Sequence, residues 1–197
     1  MKLILASQSL ARRALLEGAG LDFEAMPASV DEDTIKESAK AEGLSPTDAA
    51  ILLADAKAAR IARRHTDAVI IGADQLLVCE GEWFDKPVDI EAARDHLHRL
   101  RNKAHELITA VVVWRAGERA WHHVATPRLA MRNFSEAFLD EYLAREGAYV
   151  TSSVGAYRLE GMGVQLMREI RGDHSAILGM PLLPLLSYLR DSGIIPR

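Results

Sequence analysis

With 197 residues, 49% of them hydrophobic and 26% charged, the chain can bury the core of a single soluble globular domain, or of two lobes that share it. A net charge of −4 with pI near 6.0 argues against a nucleic-acid or membrane partner, since both select a basic excess. After Lys2 only Leu3-Ile4-Leu5-Ala6 precede polar residues, too short for the apolar region of a signal peptide, and no apolar run is long enough to span a bilayer, so a cytoplasmic protein is expected.

The chain opens with LILASQSLARRALLEGAG. Leu3 to Ala6 reads as a buried strand, Ser7-Gln8-Ser9 as a turn, and the rest as a helix ended by Gly18 and Gly20. Arg12 and Arg13 then fall in the first turn, where the helix end carries about half a positive charge and a cation typically costs roughly 0.3–1 kcal/mol. A phosphate docked at that N-terminus would supply the missing anion. On this reading, removing Arg12 leaves the free protein no less stable.

The stretch MPASVDEDTIKESAKAEGLSPT is expected to be a polar loop rich in acids, followed by a helix from Ser45-Pro46 to about Arg64. Ser45 with Asp48 resembles a capping box, and Pro46 suits the first helical position. Ile51, Ala54, Ala58 and Ile61 form the expected buried stripe, with Lys57 at its edge. AVIIGADQLLVCEGEWF reads as a strand, an interruption at Gly72-Ala73-Asp74-Gln75, a second extended run and a turn at Glu80-Gly81-Glu82, which puts Asp74 at a strand end.

Asp89 begins the next helix, EAARDHLHRLR, and HELITAVVVWRAGERAWHHVATPRLAM reads as two long strands joined around Ala116-Gly117. Ser135 caps FSEAFLDEYLARE, which Gly147 closes. The remainder reads as a glycine-punctuated strand pair, a loop and a helix started by Pro181. The interleaving of strands and helices predicts an α/β fold with a mixed sheet. Cys79, the single cysteine, lies in the apolar run LLVC and reads as a small core residue. His96 and His98 are two apart on a helix, and His122 and His123 are adjacent on a strand; both spacings split the rings between faces, which disfavours zinc.

The polar residues at element ends are basic Arg12, Arg13, Lys57 and Lys86 and acidic Glu32, Asp74 and Glu160. An enzyme acting on phosphoanhydrides needs such an inventory: cations neutralise phosphate oxygens, and carboxylates hold a divalent cation and orient water. Taken singly, each has an ordinary reading. The arginines suit a solvated helix face, Lys57 a snorkelling surface position, Glu32 a solvated loop, and Lys86 a turn before Pro87. Asp74 is the sharpest candidate, because a carboxylate between two apolar runs is costly unless hydrated, paired or functional.

Six blocks resemble the Maf family of nucleoside triphosphate pyrophosphatases, also associated with inhibition of septum formation. They are LASQSLARRALL, Ala56-Lys57-Ala58, GADQ at Gly72 to Gln75, Lys86-Pro87, VGAYRLEGMG at Val154 to Gly163, and GDHSAILGMPL at Gly172 to Leu182. Their order over nearly the whole chain is far more specific than any one block.

The resemblance implies one domain over residues 1–197, an elongated mixed sheet flanked by helices, with two lobes and a cleft between them. The implied reaction is hydrolysis of a nucleoside triphosphate between the α and β phosphates, with Mg²⁺ or Mn²⁺. Asp74 would be the general base and, with Glu32, a metal ligand. Ser7, Ser9, Arg12, Arg13, Lys57 and Lys86 would hold phosphates, and Gln75 and Glu160 would lie near the substrate. Homodimers are common in the family. The chain departs from the family pattern at Leu10-Ala11, where proline followed directly by arginine is usual, and at Glu160, where many members have glutamine. An Asp74-Gln75 pair with a later glutamate resembles the group that prefers 7-methyl-GTP, whereas GADT with glutamine resembles the group that prefers dTTP and UTP. The competing readings are a dTTP/UTP-preferring enzyme, a non-catalytic nucleotide-binding regulator of division, and an RNA-binding module. The last lacks both a basic excess and interleaved aromatics.

Overall fold

The computed structural model describes residues 2–196. Its strands are β1 (Leu3–Leu5), β2 (Glu24–Ala25), β3 (Val69–Cys79), β4 (Glu82–Phe84), β5 (Ala104–Arg115), β6 (Glu118–Ala125), β7 (Arg128–Met131) and β8 (Met167–Arg171). Its helices are α1 (Leu10–Gly18), α2 (Glu32–Ala41), α3 (Pro46–Ala62), α4 (Ile90–Leu100), α5 (Glu136–Glu146), α6 (His174–Ile177) and α7 (Leu182–Asp191). The expected mixed sheet is present, ordered β2-β1-β3-β5-β7-β8, with β4 paired to β3 and β6 to β5. β1 runs parallel to β2 and β3, and the β3–β4, β5–β6, β5–β7 and β7–β8 pairs are antiparallel. No helix among the described residues is long and apolar enough to cross a membrane.

The chain forms two units. One contains residues up to Gln75, Ile108–Ala125 and the residues from Asp173 onward; the other contains Leu76–Leu107 and Thr126–Gly172. In the first, strand alternation divides β3 between two environments. Val69, Ile71 and Ala73 pack with Leu3, Leu5, Val111 and Val113 against Leu16, Met180, Leu185 and Leu189. The opposite face meets α3 at Gly72, where an added Cβ would lie 2.3 Å from the Ala54 carbonyl oxygen and 2.9 Å from Ala58 Cβ. Only a glycine admits the helix this closely. Asp74 shares the parity of Ile70 and Gly72, so the same contact brings α3 to its carboxylate.

Local reading erred where long-range packing intervened. β3 is continuous through Gly72 to Gln75, and Asp74 therefore lies within the strand rather than at its end. The glycine that reads as an interruption is instead the seat of α3. The buried face of α3 runs through Ala50, Leu53, Ala54, Lys57 and Ala58, which places Lys57 inside the stripe instead of at its edge. The acidic loop contains α2, capped by Asp31 accepting from the Thr34 amide. The caps at Ser45, Asp89 and Ser135 are as expected: each accepts the backbone N–H three residues on.

In the second unit, RLAM forms its own strand, β7, where β5 and β6 were expected to account for the whole stretch. Pro127 separates it from β6. The expected strand pair after Val154 is only β8, preceded by short 3-10 turns. The glycines there accept close neighbours: Gly161 sits against the Glu146 carboxylate and Gly163 against the Arg158 backbone. Cys79 is a buried core residue whose burial raises its thiol pKa.

His105 Nε2 lies 2.8 Å from the Tyr157 hydroxyl in the buried interior of this unit. Burial lowers the His105 pKa to about 4, below the ordinary ~6.5 of an unfolded histidine. Above pH ~6.5 the ring is neutral in both states and its contribution to stability is fully present. As pH falls toward ~4 the unfolded chain takes a proton that the fold refuses, which costs up to about 3 kcal/mol. Thermal melts of wild type and His105→Phe across that window should therefore converge as pH falls. Parallel melting curves would show that His105 does not titrate this way.

Candidate active site

β1 ends in a turn whose two serines organise the start of α1. The Ser7 hydroxyl accepts from the Ser9 amide at 3.2 Å, and Ser9 caps the helix by accepting from the Arg12 amide at 3.4 Å. The Arg12 side chain leaves the first turn and becomes half-buried among backbone oxygens. Its Nε donates to the Gly179 carbonyl at 2.8 Å, and its Nη1 donates to the Ala73 carbonyl at 2.9 Å and to Ser7 Oγ at 3.4 Å. Burial pulls the guanidinium below its ordinary pKa, while the charges of Asp74 and Glu32 oppose that shift. An arginine still stays protonated in proteins.

The expectation that Arg12 is an unfavourable charge awaiting a ligand is thus corrected. Two backbone carbonyls hold it in the ligand-free chain. Its Nη2 hydrogens are the donors with no assigned acceptor among these bonds, so a guanidinium fixed by protein on one side can still present a fork on the other.

Lys57 and Asp74 are 8% and 4% exposed, low enough that each charge needs a partner. The Lys57 ammonium donates to Asp74 Oδ1 and lies 2.8 Å from Glu32 Oε1. Glu32 reaches it from the first position of α2, which packs on α3. Helix α3 brings the lysine, strand β3 the aspartate and helix α2 the glutamate. Ser7, Arg12, Glu32, Lys57 and Asp74 are therefore gathered in one region of the first unit. Two carboxylates that converge on one cation also suit a divalent ion in chemical character, because Mg²⁺ takes one or two carboxylates with phosphate and water oxygens.

Of the other candidates, Arg13 and Gln75 make different contacts within the first unit, and Lys86 and Glu160 belong to the second. Arg13 is exposed, with its Nε 2.6 Å from Glu17 Oε1 one turn along α1, and is not brought to Asp74. Gln75 points to the other face of β3, where its Nε2 contacts Thr109 Oγ1 and the Ala176 and Ile177 carbonyls. Lys86 is an exposed residue of the second unit, in the loop after β4. Glu160, in the same unit, is partly exposed and lies 3.8 Å from Arg158, which also bonds the buried Glu146 carboxylate at 3.3 Å. Sequence reading missed Thr109, for which the available signal was a hydroxyl set between Leu107-Ile108 and the apolar run Ala110 to Val113.

The profile of the Maf-like protein family matches residues 2–192. The chain is 60% identical to the nucleoside triphosphate pyrophosphatase of Granulibacter bethesdensis, over 97% of each chain. It is 50% identical to the protein of the same name in Rhodospirillum rubrum, over 98% of this chain and 95% of that one. It is also 47% identical to the 7-methyl-GTP pyrophosphatase of Rhizobium meliloti, over 98% of this chain and 97% of the relative. Such full-length agreement, together with the six motif blocks in order, means that the chain belongs to the Maf-like protein family.

Proposed function

We propose that the chain is a nucleoside triphosphate pyrophosphatase that cleaves between the α and β phosphates. The observation that carries this reading is the Lys57 ammonium shared by Asp74 and Glu32 beside a half-buried Arg12. Asp74 accepts a proton from water as its oxygen attacks the α phosphorus; the bond to the bridging oxygen breaks, and nucleoside monophosphate and pyrophosphate leave. Lys57 and Arg12 neutralise phosphate oxygens, and Ser7 and Ser9 hold the turn from which the free amides of α1 face an anion. Glu32 and Asp74 would hold a divalent cation, Mg²⁺ or Mn²⁺, which when bound supplies positive charge to the phosphates. Lys86 is proposed as a further phosphate contact, whereas Arg13 is assigned to its surface ion pair with Glu17.

The substrate class points to a cytoplasmic enzyme without nucleic-acid or membrane partners, and the family tendency points to a homodimer. Pyrophosphate release from a panel of triphosphates with each metal tests the reading. Turnover of at least one triphosphate is expected; binding without release would favour the nucleotide-binding regulator instead.

For the base, we propose a preference for 7-methyl-GTP over dTTP and UTP. Guanine presents adjacent N1–H and N2–H₂ donors, and a carboxylate such as Glu160 offers acceptors only, with added attraction when N7 methylation makes the ring cationic. A glutamine would instead suit the mixed donor and acceptor edge of uracil or thymine. The name of the Rhizobium meliloti relative agrees with this choice. Glu160→Gln should lower the kcat/KM ratio of 7-methyl-GTP to dTTP about tenfold, near the worth of one charge-assisted hydrogen bond. Equal or better hydrolysis of dTTP by wild type would overturn the preference.

A further inference from the structure

Helix α6 is only four residues long, so its carbonyls find little partnership within it. Ala176 and Ile177 are buried, and their carbonyl oxygens need donors from outside the helix. The Gly179 N–H donates to the Ala176 oxygen at 3.0 Å, and two side chains supply the rest. Gln75 Nε2 lies 3.0 Å from the Ala176 oxygen and 3.1 Å from the Ile177 oxygen. The fully buried Thr109 hydroxyl donates to the Ala176 oxygen at 2.9 Å and accepts from Gln75 Nε2 at 2.8 Å. The amide nitrogen has two hydrogens for three acceptors, so its donor capacity is used inside the protein.

Farther along the same segment, Arg12 holds the Gly179 carbonyl with Nε and the Ala73 carbonyl with Nη1. The segment Asp173–Met180 is therefore tied to residues on both sides of Asp74: to Ala73 through Arg12 and to Gln75 directly. We infer that Gln75 and Thr109 are positioning residues that latch α6 to the strand carrying Asp74. The latch keeps the Gly179 carbonyl where it orients the Arg12 guanidinium. Gly179 has φ +100°, and a Cβ there would lie 3.0 Å from Arg12 Nε, so the guanidinium packs directly on a backbone that leaves no room for a side chain.

The activity part of this inference rests on the proposed pyrophosphatase reading; the latch itself does not. Thr109→Val keeps the shape and removes the hydroxyl that joins Gln75 to the Ala176 oxygen, leaving that oxygen to the Gly179 amide and to a Gln75 side chain that has lost its anchor on β5. Expected is a fall of ~10-fold in kcat/KM by the same factor for dTTP, GTP and 7-methyl-GTP, as for a displaced phosphate-binding group. Thr109→Ser should recover most of it. Amide hydrogen exchange over Asp173–Met180 should rise ~10-fold or more in Thr109→Val while α3 keeps its protection, the mark of local opening. Gln75→Met, which keeps the volume without the donors, should repeat the exchange result and carries the test if Thr109→Val fails to fold. Wild-type exchange over Asp173–Met180 in a folded Gln75→Met would overturn the latch. If wild type releases no pyrophosphate the proposed function fails, and the exchange measurement still decides the latch.

Discussion

Replacing Asp74 by asparagine should leave a folded protein whose turnover is at least ~10²-fold below wild type, the usual lower range for losing a positioned general base. The change is nearly isosteric. An asparagine oxygen still accepts from Lys57, and Glu32 still pairs with that ammonium, so the buried cation is not orphaned. What disappears is the group that takes the proton from water, along with one negative ligand for a divalent ion. Pyrophosphate release, checked beside a thermal melt, separates lost chemistry from lost fold. Wild-type turnover in Asp74→Asn with an inactive Glu32→Gln would move the base role to Glu32.

Arg12→Ala is expected to weaken triphosphate binding and to destabilise the ligand-free protein, the second effect reversing what its helix position alone suggests. Removing a cation from the first turn of α1 gains roughly 0.3–1 kcal/mol. The loss is larger: the Gly179 and Ala73 carbonyls each give up a charge-assisted hydrogen bond, at about 1–3 kcal/mol apiece when no replacement donor enters. The net cost should be about 2 kcal/mol, lowering Tm by roughly 4–8 °C for a chain of this length. Arg12→Lys should not restore stability, because an ammonium lacks the planar fork that reaches two carbonyls at once. A ligand-free melt of Arg12→Ala that matches wild type would show that these bonds contribute nothing and would return Arg12 to a purely ligand-binding role.

Much of the fold was legible because its causes are local. Ser45, Asp89 and Ser135 each sit where a helix needs an acceptor for its free amides, and those three helices begin where the caps place them. The α/β class followed from the alternation of apolar runs with capped helices. The site was partly legible too: Arg12 and Asp74 were marked as charges in places where charge is costly or unexplained, whereas Glu32 and Lys57 had ordinary surface readings and entered as members of the charge inventory and of the family blocks.

Partnership was the part that local pattern did not carry. A glycine within an apolar run reads equally as a break and as a seat, and at Gly72 the choice depends on Ala54 and Ala58 arriving from α3. Lys57 reads as a surface residue until that approach sets its ammonium between carboxylates from α2 and β3, since an ion pair depends on distance rather than on spacing in the chain. Arg12 and Gln75 were singled out by position, yet their bonds run to Gly179, Ala176 and Ile177, more than a hundred residues onward. Residue type and spacing thus establish which groups carry charge and which segments form helix or strand, because capping and burial periodicity act over a few residues. Which charges neutralise one another, and which polar side chains hold the backbone, is settled when the folded chain brings remote donors and acceptors within ~3 Å, the range where a hydrogen bond has strength.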